Sequence, residues 1–455
     1  MKKVLISDSK IPNIAPCKVC ESRNISTFWH IPSSTWEKYF LVCDDCGART
    51  NDCIFAASAL KEWNYKYNGT DSARYSEIWK EAQFAPTAKP NKSWELPSFD
   101  ILPEPPARDS GDELDPQQVE NVINKILKKS PVTLTDVVSA PTVTIYHVNF
   151  SDISDIVHDE KIAKVLSKIF GNTIVKKSKI ADVAFEIVRE SRQTVDYKTT
   201  LRHQNACAGK AFPIALGIDT DGNSVVTDLK KFKSGLVAGT AGSGKSVAIH
   251  AILNSILQST APDMLDLYLA DLKQVELAQY EELPHLATPV IYDMDTLMFT
   301  LEGLVRIMTE RYADLKSRGL SELPDGEKRI LFVLDEVAEA VMMTRDKGKE
   351  LFYLIGRLLQ AGRACGIHVI LSTQRPEVKI IPGLLKANLP TVIGMTCKSQ
   401  MQSKTIIDES GLEKLAGYGD ALIALPGKTE LIRTQTPYIC NDTIAALVDF
   451  WKNQA

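Results

Sequence analysis

The stretch "SGLVAGTAGSGKSVAIHAIL", Ser234 to Leu253, constrains the fold more than any other part of the chain. Leu236 to Ala238 read as a short buried strand, Gly239, Gly242 and Gly244 as a tight turn, and the apolar run after Lys245 as a helix. A turn with so little side chain leaves its N–H groups bare and aims them, with the positive end of the helix, at one point in space. Phosphate is what such a cradle holds, and GxxxxGKS from Gly239 to Ser246 is the P-loop pattern. Gly239, Thr240, Ala241, Gly242, Ser243, Gly244, Lys245, Ser246 and Val247 are the expected nucleotide-binding residues. Lys245 would reach the β- and γ-phosphates of ATP, and the Ser246 hydroxyl would ligate Mg²⁺. A Gly-rich turn matching by chance would not come with both the strand and the helix.

From about Lys210 to Ala455 further apolar strands ("DLYLADL", "RILFVLDE", "GIHVILSTQ", "TVIGMT", "DALIAL") alternate with amphipathic helices. The pattern predicts an α/β fold with a parallel sheet and helices on both faces. In "RILFVLDEVAEAVM" the apolar run Leu331 to Leu334 stops at Asp335 and Glu336, as a Walker B strand does. Asp335 would hold Mg²⁺ through water, and Glu336 would orient and deprotonate the attacking water. A buried strand ending in a solvated acidic turn fits the strand, but leaves the acidic pair downstream of a P-loop unexplained. In "HVILSTQRP" a strand ends in Thr373 and Gln374. Gln374 is placed either to sense the γ-phosphate and signal to the following loop, or simply to close the strand end.

The remaining text divides into three. Residues 1–68 carry Cys17, Cys20, Cys43 and Cys46 as two CxxC pairs with 22 residues between them, the spacing of a tetrahedral Cys₄ zinc ribbon. Zn²⁺ would supply folding energy that so short a segment lacks. The other cysteines, Cys53, Cys207, Cys365, Cys397 and Cys440, are scattered and read as small core residues. Residues 69–117, with seven prolines between Pro86 and Pro116, read as an acidic linker. Residues 118–209 mix helical "VENVINKILKK" and "DEKIAKVLSKIF" with strand-like "PTVTIYHVNF" and "DVAFEIVRES", a small α+β domain. The formal net charge of -4 excludes a uniformly basic nucleic-acid coat, while leaving room for a local basic lining. With neither an apolar run of membrane-spanning length nor a secretory leader, the expected location is the cytoplasm.

The blocks "AGTAGSGKSVAIHAIL", "LADLKQVELAQYEELPHLATPV", "VLDEVAEAVMM", "GRACGIHVILSTQRPEVKIIPGLLKANLPT" and "KTIIDESGLEKLAGYGDALI" occur in this order. Together they resemble the motor of the FtsK/SpoIIIE double-stranded DNA translocases. The resemblance implies a RecA-like core (residues 210–455) that assembles with copies of itself as a ring, read as a hexamer, around double-stranded DNA. It also makes residues 118–209 a diverged form of that family's smaller α motor domain. Arg363, in "GRACG", falls where the family supplies an arginine finger to the neighbouring subunit's site, although a helix-end salt bridge would use the same residue. Arg375 falls on a pore-loop contact with the DNA backbone.

The chain also departs from the family's pattern. "CKSQMQSKT" displaces one pore cation to Lys398 and replaces another with Lys404, which puts the DNA contacts of this loop in doubt more than the hydrolytic chemistry. The usual "DPK" reads Asp271, Leu272, Lys273. Ala455 follows directly on motor text, so neither the winged-helix γ domain nor the membrane spans of cellular members are expected.

The N-terminal "PCKVCESRN…VCDDCGART" resembles the small ribbon of restriction-alleviation-type proteins of phages and suggests a phage or mobile-element origin. The ribbon would contact DNA, dock a protein partner or cap the structure. The expected function is therefore ATP-driven translocation on DNA. A DNA-packaging or conjugation-type ring ATPase, and an ATP-gated adaptor whose ribbon recruits a partner, are the competing readings.

Overall fold

The structure, a computed structural model, describes residues 93–103, 115–127, 131–178, 180–189, 194–202, 207, 209–344 and 348–455, and the backbone of three strands before them. Those strands, β1 (Lys2–Val4), β2 (Ile25–His30) and β3 (Lys38–Cys43), form an antiparallel sheet in that order. Cys17, Cys20 and Cys46 lie outside the described residues, as does the side chain of Cys43, the last residue of β3.

The small α+β body comprises helix Pro116–Leu127, β4 (Val132–Ser139), β5 (Val143–Phe150), helix Asp159–Ile169, β6 (Thr173–Lys177) and β7 (Val183–Val188). Its sheet runs β4-β5-β7-β6, antiparallel throughout. The helices lay Val119, Ile123, Ile162 and Leu166 against Tyr146, Val148 and Phe185, all buried. Each such side chain removed from water contributes roughly 1.5–3 kcal/mol.

The larger body adds β8 (Pro213–Asp219), β9 (Ser224–Asp228), β10 (Gly235–Ala238), β11 (Leu265–Asp271), β12 (Arg329–Asp335), β13 (Ile367–Thr373), β14 (Thr391–Met395), β15 (Asp420–Ala424) and β16 (Ile432–Gln435). They form one nine-stranded sheet, β11-β12-β13-β10-β14-β15-β16-β8-β9. The first five strands are parallel. The others are antiparallel, which corrects the expectation of a parallel sheet throughout. The connections explain the change. A parallel crossover takes about a dozen residues or more, whereas β8 to β9 and β15 to β16 are joined by residues 220–223 and 425–431 and turn back as hairpins. β12 and β13 are buried at every residue, as central parallel strands must be.

A buried ionic cluster fastens the small sheet to the large one. Arg433 on β16 donates through Nε and Nη2 to Asp420 of β15 (3.0 and 2.7 Å) and through Nη1 to Glu186 of β7 (2.7 Å). Lys176 of β6 adds a contact of 2.8 Å to Glu186. Burial pushes the Glu186 carboxyl up, but the charges of Lys176 and Arg433 outweigh it and leave it lowered.

Inside the stretch read as linker, Leu102 is buried and its carbonyl accepts from Lys198 Nζ (3.2 Å), while the Pro97 carbonyl accepts from Gln258 Nε2 (2.6 Å). Cys365 and Cys397 are buried, but Cys207 and Cys440 are only partly so, and Cys53 lies outside the described residues. Among the described residues no helix is long and apolar enough to cross a membrane.

Candidate nucleotide site

Three parallel strands end together at one edge of the large sheet. Ala238 pairs with Thr373, and Leu334 with Leu371. The P-loop, the acidic pair and the polar strand end are therefore brought to one place. The helix that follows the glycines runs Lys245–Leu257. Its N-cap, Gly244, has φ 101° and supplies no side-chain cap, so the first N–H groups of the helix are left for a ligand. The loop is pinned from behind. The Gly239 N–H donates to the Thr373 carbonyl (3.3 Å), the Thr240 N–H to the Thr396 carbonyl (2.9 Å), and the Gly419 N–H to the Ser243 carbonyl (2.7 Å). A Cβ on Gly244 would stand 2.6 Å from the Gly419 nitrogen, so this position needs glycine for space as well as for its left-handed backbone. An uncapped helix start behind a glycine-rich turn fits a phosphate chain.

Lys245 is buried, its Nζ 2.5 Å from Asp335 Oδ1 and 2.7 Å from Ser372 Oγ. Ser372 Oγ donates in turn to Asp335 Oδ1 (2.7 Å). Glu336 is buried and left-handed (φ 57°), a conformation that costs roughly 1–3 kcal/mol outside glycine. The sensor strand holds its carboxylate: Oε1 accepts from Thr373 Oγ1 (2.8 Å), and Oε2 from the Gln374 N–H (3.1 Å). Lys273 Nζ approaches Oε2 to 3.4 Å. Ser246 donates its hydroxyl proton to Glu276 Oε1 (2.6 Å). The Glu276 carboxyl is drawn down to about 2, first by the His250 imidazole and then, against partial burial, by the Ser246 hydroxyl. Reading the sequence did not single out Ser372, Lys273, Glu276 or His250. The only local signal was the Asp-Leu-Lys triplet, and it carried no chemistry.

Arg363 is not brought to this site. It is the exposed residue of the otherwise largely buried turn Gly362–Cys365 before β13, at the opposite end of that seven-residue strand from Thr373. At about 3.3 Å per residue the separation is roughly 20 Å. Arg375 is exposed immediately past the sensor, its N–H on Thr373 Oγ1 (3.0 Å) and its Nη1 3.4 Å from Met342 Sδ. Lys398, beyond β14, and Lys404, on helix Gln400–Ile407, are exposed as well. Among the described residues no group of three or more His, Cys, Asp or Glu is arranged to hold a metal ion.

A P-loop, a Walker B carboxylate pair and a polar sensor strand on one sheet edge define a P-loop ATPase of the α/β class. The FtsK/SpoIIIE family model matches residues 201–331. The DNA translocase FtsK of Haemophilus influenzae is 32% identical over 440 residues, covering 86% of this chain and 80% of that protein. The chain therefore belongs to the FtsK/SpoIIIE family. The DNA translocase FtsK of Campylobacter jejuni is 35% identical over 400 residues, and the DNA translocase SftA of Bacillus subtilis 33% over 389. The chain spans only 41% and 40% of the length of those two relatives. Among solved structures, the pCW3 conjugation coupling protein TcpA, in monomer form with ATPgS, matches with a TM-score of 0.50 at 20% identity. That match covers 72% of this chain and 96% of TcpA, and concerns the fold.

Proposed function

We propose that this protein hydrolyses ATP to move along double-stranded DNA, working as a ring of identical copies. The observation that carries this reading is the arrangement of Lys245, Ser246, Asp335 and Glu336 on one edge, with Arg375 two residues beyond the Thr373 that holds Glu336. The N–H groups from Gly242 to Ser246 would hold phosphate oxygens, Lys245 would exchange Asp335 for the β- and γ-phosphates, and Ser246 with Asp335 would hold Mg²⁺. Bound Mg²⁺–ATP supplies the transferable phosphoryl group and neutralises charge on it. Glu336 takes the proton of the attacking water, and the Thr373–Gln374 strand end registers the change in Glu336 and shifts Arg375. Arg375, Lys398 and Lys404 follow phosphates without reading bases, as a motor that moves along any sequence requires.

Arg363 lies at the far end of β13 from its own chain's site, which favours a role in a neighbouring copy and hence a ring, a hexamer. The Cys17, Cys20, Cys43, Cys46 ribbon would bind Zn²⁺ and serve DNA or a protein partner, in a phage or mobile-element protein of the host cytoplasm. ATPase rate with and without long duplex DNA, together with displacement of a third strand from a triplex, tests the central reading. A motor hydrolyses faster on duplex and displaces the strand. An unchanged rate with no displacement sinks it in favour of an ATP-gated adaptor.

A further inference from the structure

We propose that Glu276 is a positioning residue for Mg²⁺: by accepting the Ser246 hydroxyl proton it turns the Ser246 oxygen lone pairs toward the metal. The proposal rests on the nucleotide-site reading above. A hydroxyl that ligates a cation through oxygen must place its hydrogen on some other acceptor, and at 2.6 Å Glu276 Oε1 is that acceptor. Outer partners of this kind orient the groups that touch a metal.

Glu276 is itself fixed from two directions. Asp271 ends β11 level with Asp335, is fully buried, and accepts the N–H groups of Lys273, Gln274, Val275, Glu276 and Leu277 at 2.8–3.2 Å. One carboxylate thus wraps the whole loop and sets where its side chains emerge. From that loop Lys273 reaches Glu336 and Glu276 reaches Ser246, so one loop serves both the base and the metal ligand. The second direction is the P-loop helix. His250 follows Ser246 by one turn on the same face, and its Nε2 stands 3.6 Å from Glu276 Oε2 and 3.3 Å from Gln279 Nε2. A residue that merely ties loop to helix would not need this short contact with the hydroxyl.

The test is the affinity of the full chain for the fluorescent nucleotide mant-ADP, in excess Mg²⁺ and in EDTA. Glu276→Ala is expected to reduce the Mg²⁺-dependent gain in affinity 10–100-fold while leaving binding in EDTA within about twofold. Glu276→Gln, whose amide oxygen still accepts, is expected to keep most of the gain. Equal losses in both media, or no loss in either, overturn the proposal. Should Glu276→Ala fail to fold, Glu276→Asp decides by the same measure: one methylene short of the hydroxyl, it must lose the gain, and wild-type behaviour overturns the assignment. A wild-type chain that binds mant-ADP in neither medium overturns the nucleotide reading itself, whereas a normal wild type beside a normal Glu276→Ala overturns only this one.

Discussion

Thr373 Oγ1 donates to Glu336 Oε1 at 2.8 Å, so the end of β13 directly holds the carboxylate proposed as the general base. Two variants separate holding from catalysis. Glu336→Gln keeps the shape of the side chain but cannot take a proton, and should lower turnover at least ~100-fold with ATP affinity retained. Thr373→Val removes the tether, together with the acceptor of the Arg375 N–H, and should cost about tenfold in kcat. Stopped-flow phosphate release beside nucleotide titration checks both, and a Thr373→Val enzyme with wild-type kcat would show the tether to be idle.

Arg363 stands at the end of β13 remote from its own chain's Lys245. If it acts in a neighbouring copy, Arg363→Ala and Glu336→Gln should each be inactive alone yet recover activity when mixed, because some interfaces then pair an intact site with an intact arginine. About a quarter of wild-type turnover is expected from an equal mixture with independent sites, a loss of stabilisation on the order of that assigned to such fingers being confined to the defective interfaces. Mixtures as inactive as the parents would place Arg363 outside the chemistry.

Arg433 lies between two carboxylates, Asp420 and Glu186, that are almost wholly buried, and Lys176 shares Glu186 with it. Arg433→Met would leave both without their shared cation, at a cost of about 3–5 kcal/mol. Urea unfolding should show it, and combining Arg433→Met with Asp420→Asn and Glu186→Gln should return part of the loss. A single-variant cost below about 1 kcal/mol would mean that water reaches the cluster.

His368 lies fully buried in β13, a ring nitrogen 2.6 Å from the Lys233 carbonyl. Burial lowers its pKa to about 4, against the pull of that carbonyl and with Arg329, Asp228 and Arg363 adding smaller effects. The unfolded chain, with an ordinary value of 6.5, takes up the proton first. Stability is therefore full above that value and declines as pH falls from 6.5 toward 4, by about 2 kcal/mol at about pH 5. Urea midpoints at about pH 7 and about pH 5 should differ accordingly for the wild type and less for His368→Asn.

The elements that were plain in the text are those with one dominant physical cause. β10, β12 and β13 are short apolar runs because both of their faces are covered, and the P-loop helix starts where the glycines stop. β4 ("VTLTDVVS") and β6 ("TIVKK") have one face toward water and carry charge, so their periodicity is too weak to stand out. β8, β9 and β16 pair through hairpins and at long range, so no alternation of strand and helix marks them in the sequence. The site divided along the same line. Lys245, Asp335 and Glu336 belong to local patterns, whereas Glu276 meets Ser246 only because a loop thirty residues away wraps around Asp271. No spacing rule within either segment contains that contact.

The cluster of Arg433, Asp420 and Glu186 bears on how the molecule can be dissected. Asp420 follows Gly419, whose N–H holds the P-loop at Ser243, while Glu186 sits in the middle of the small sheet. A chain cut at residue 210 would keep every residue of the ATP site and still lose one of the two anions facing a buried guanidinium. The ATPase half should therefore express poorly alone, and hydrogen exchange of the intact protein should find the P-loop and the small sheet opening together as one unit.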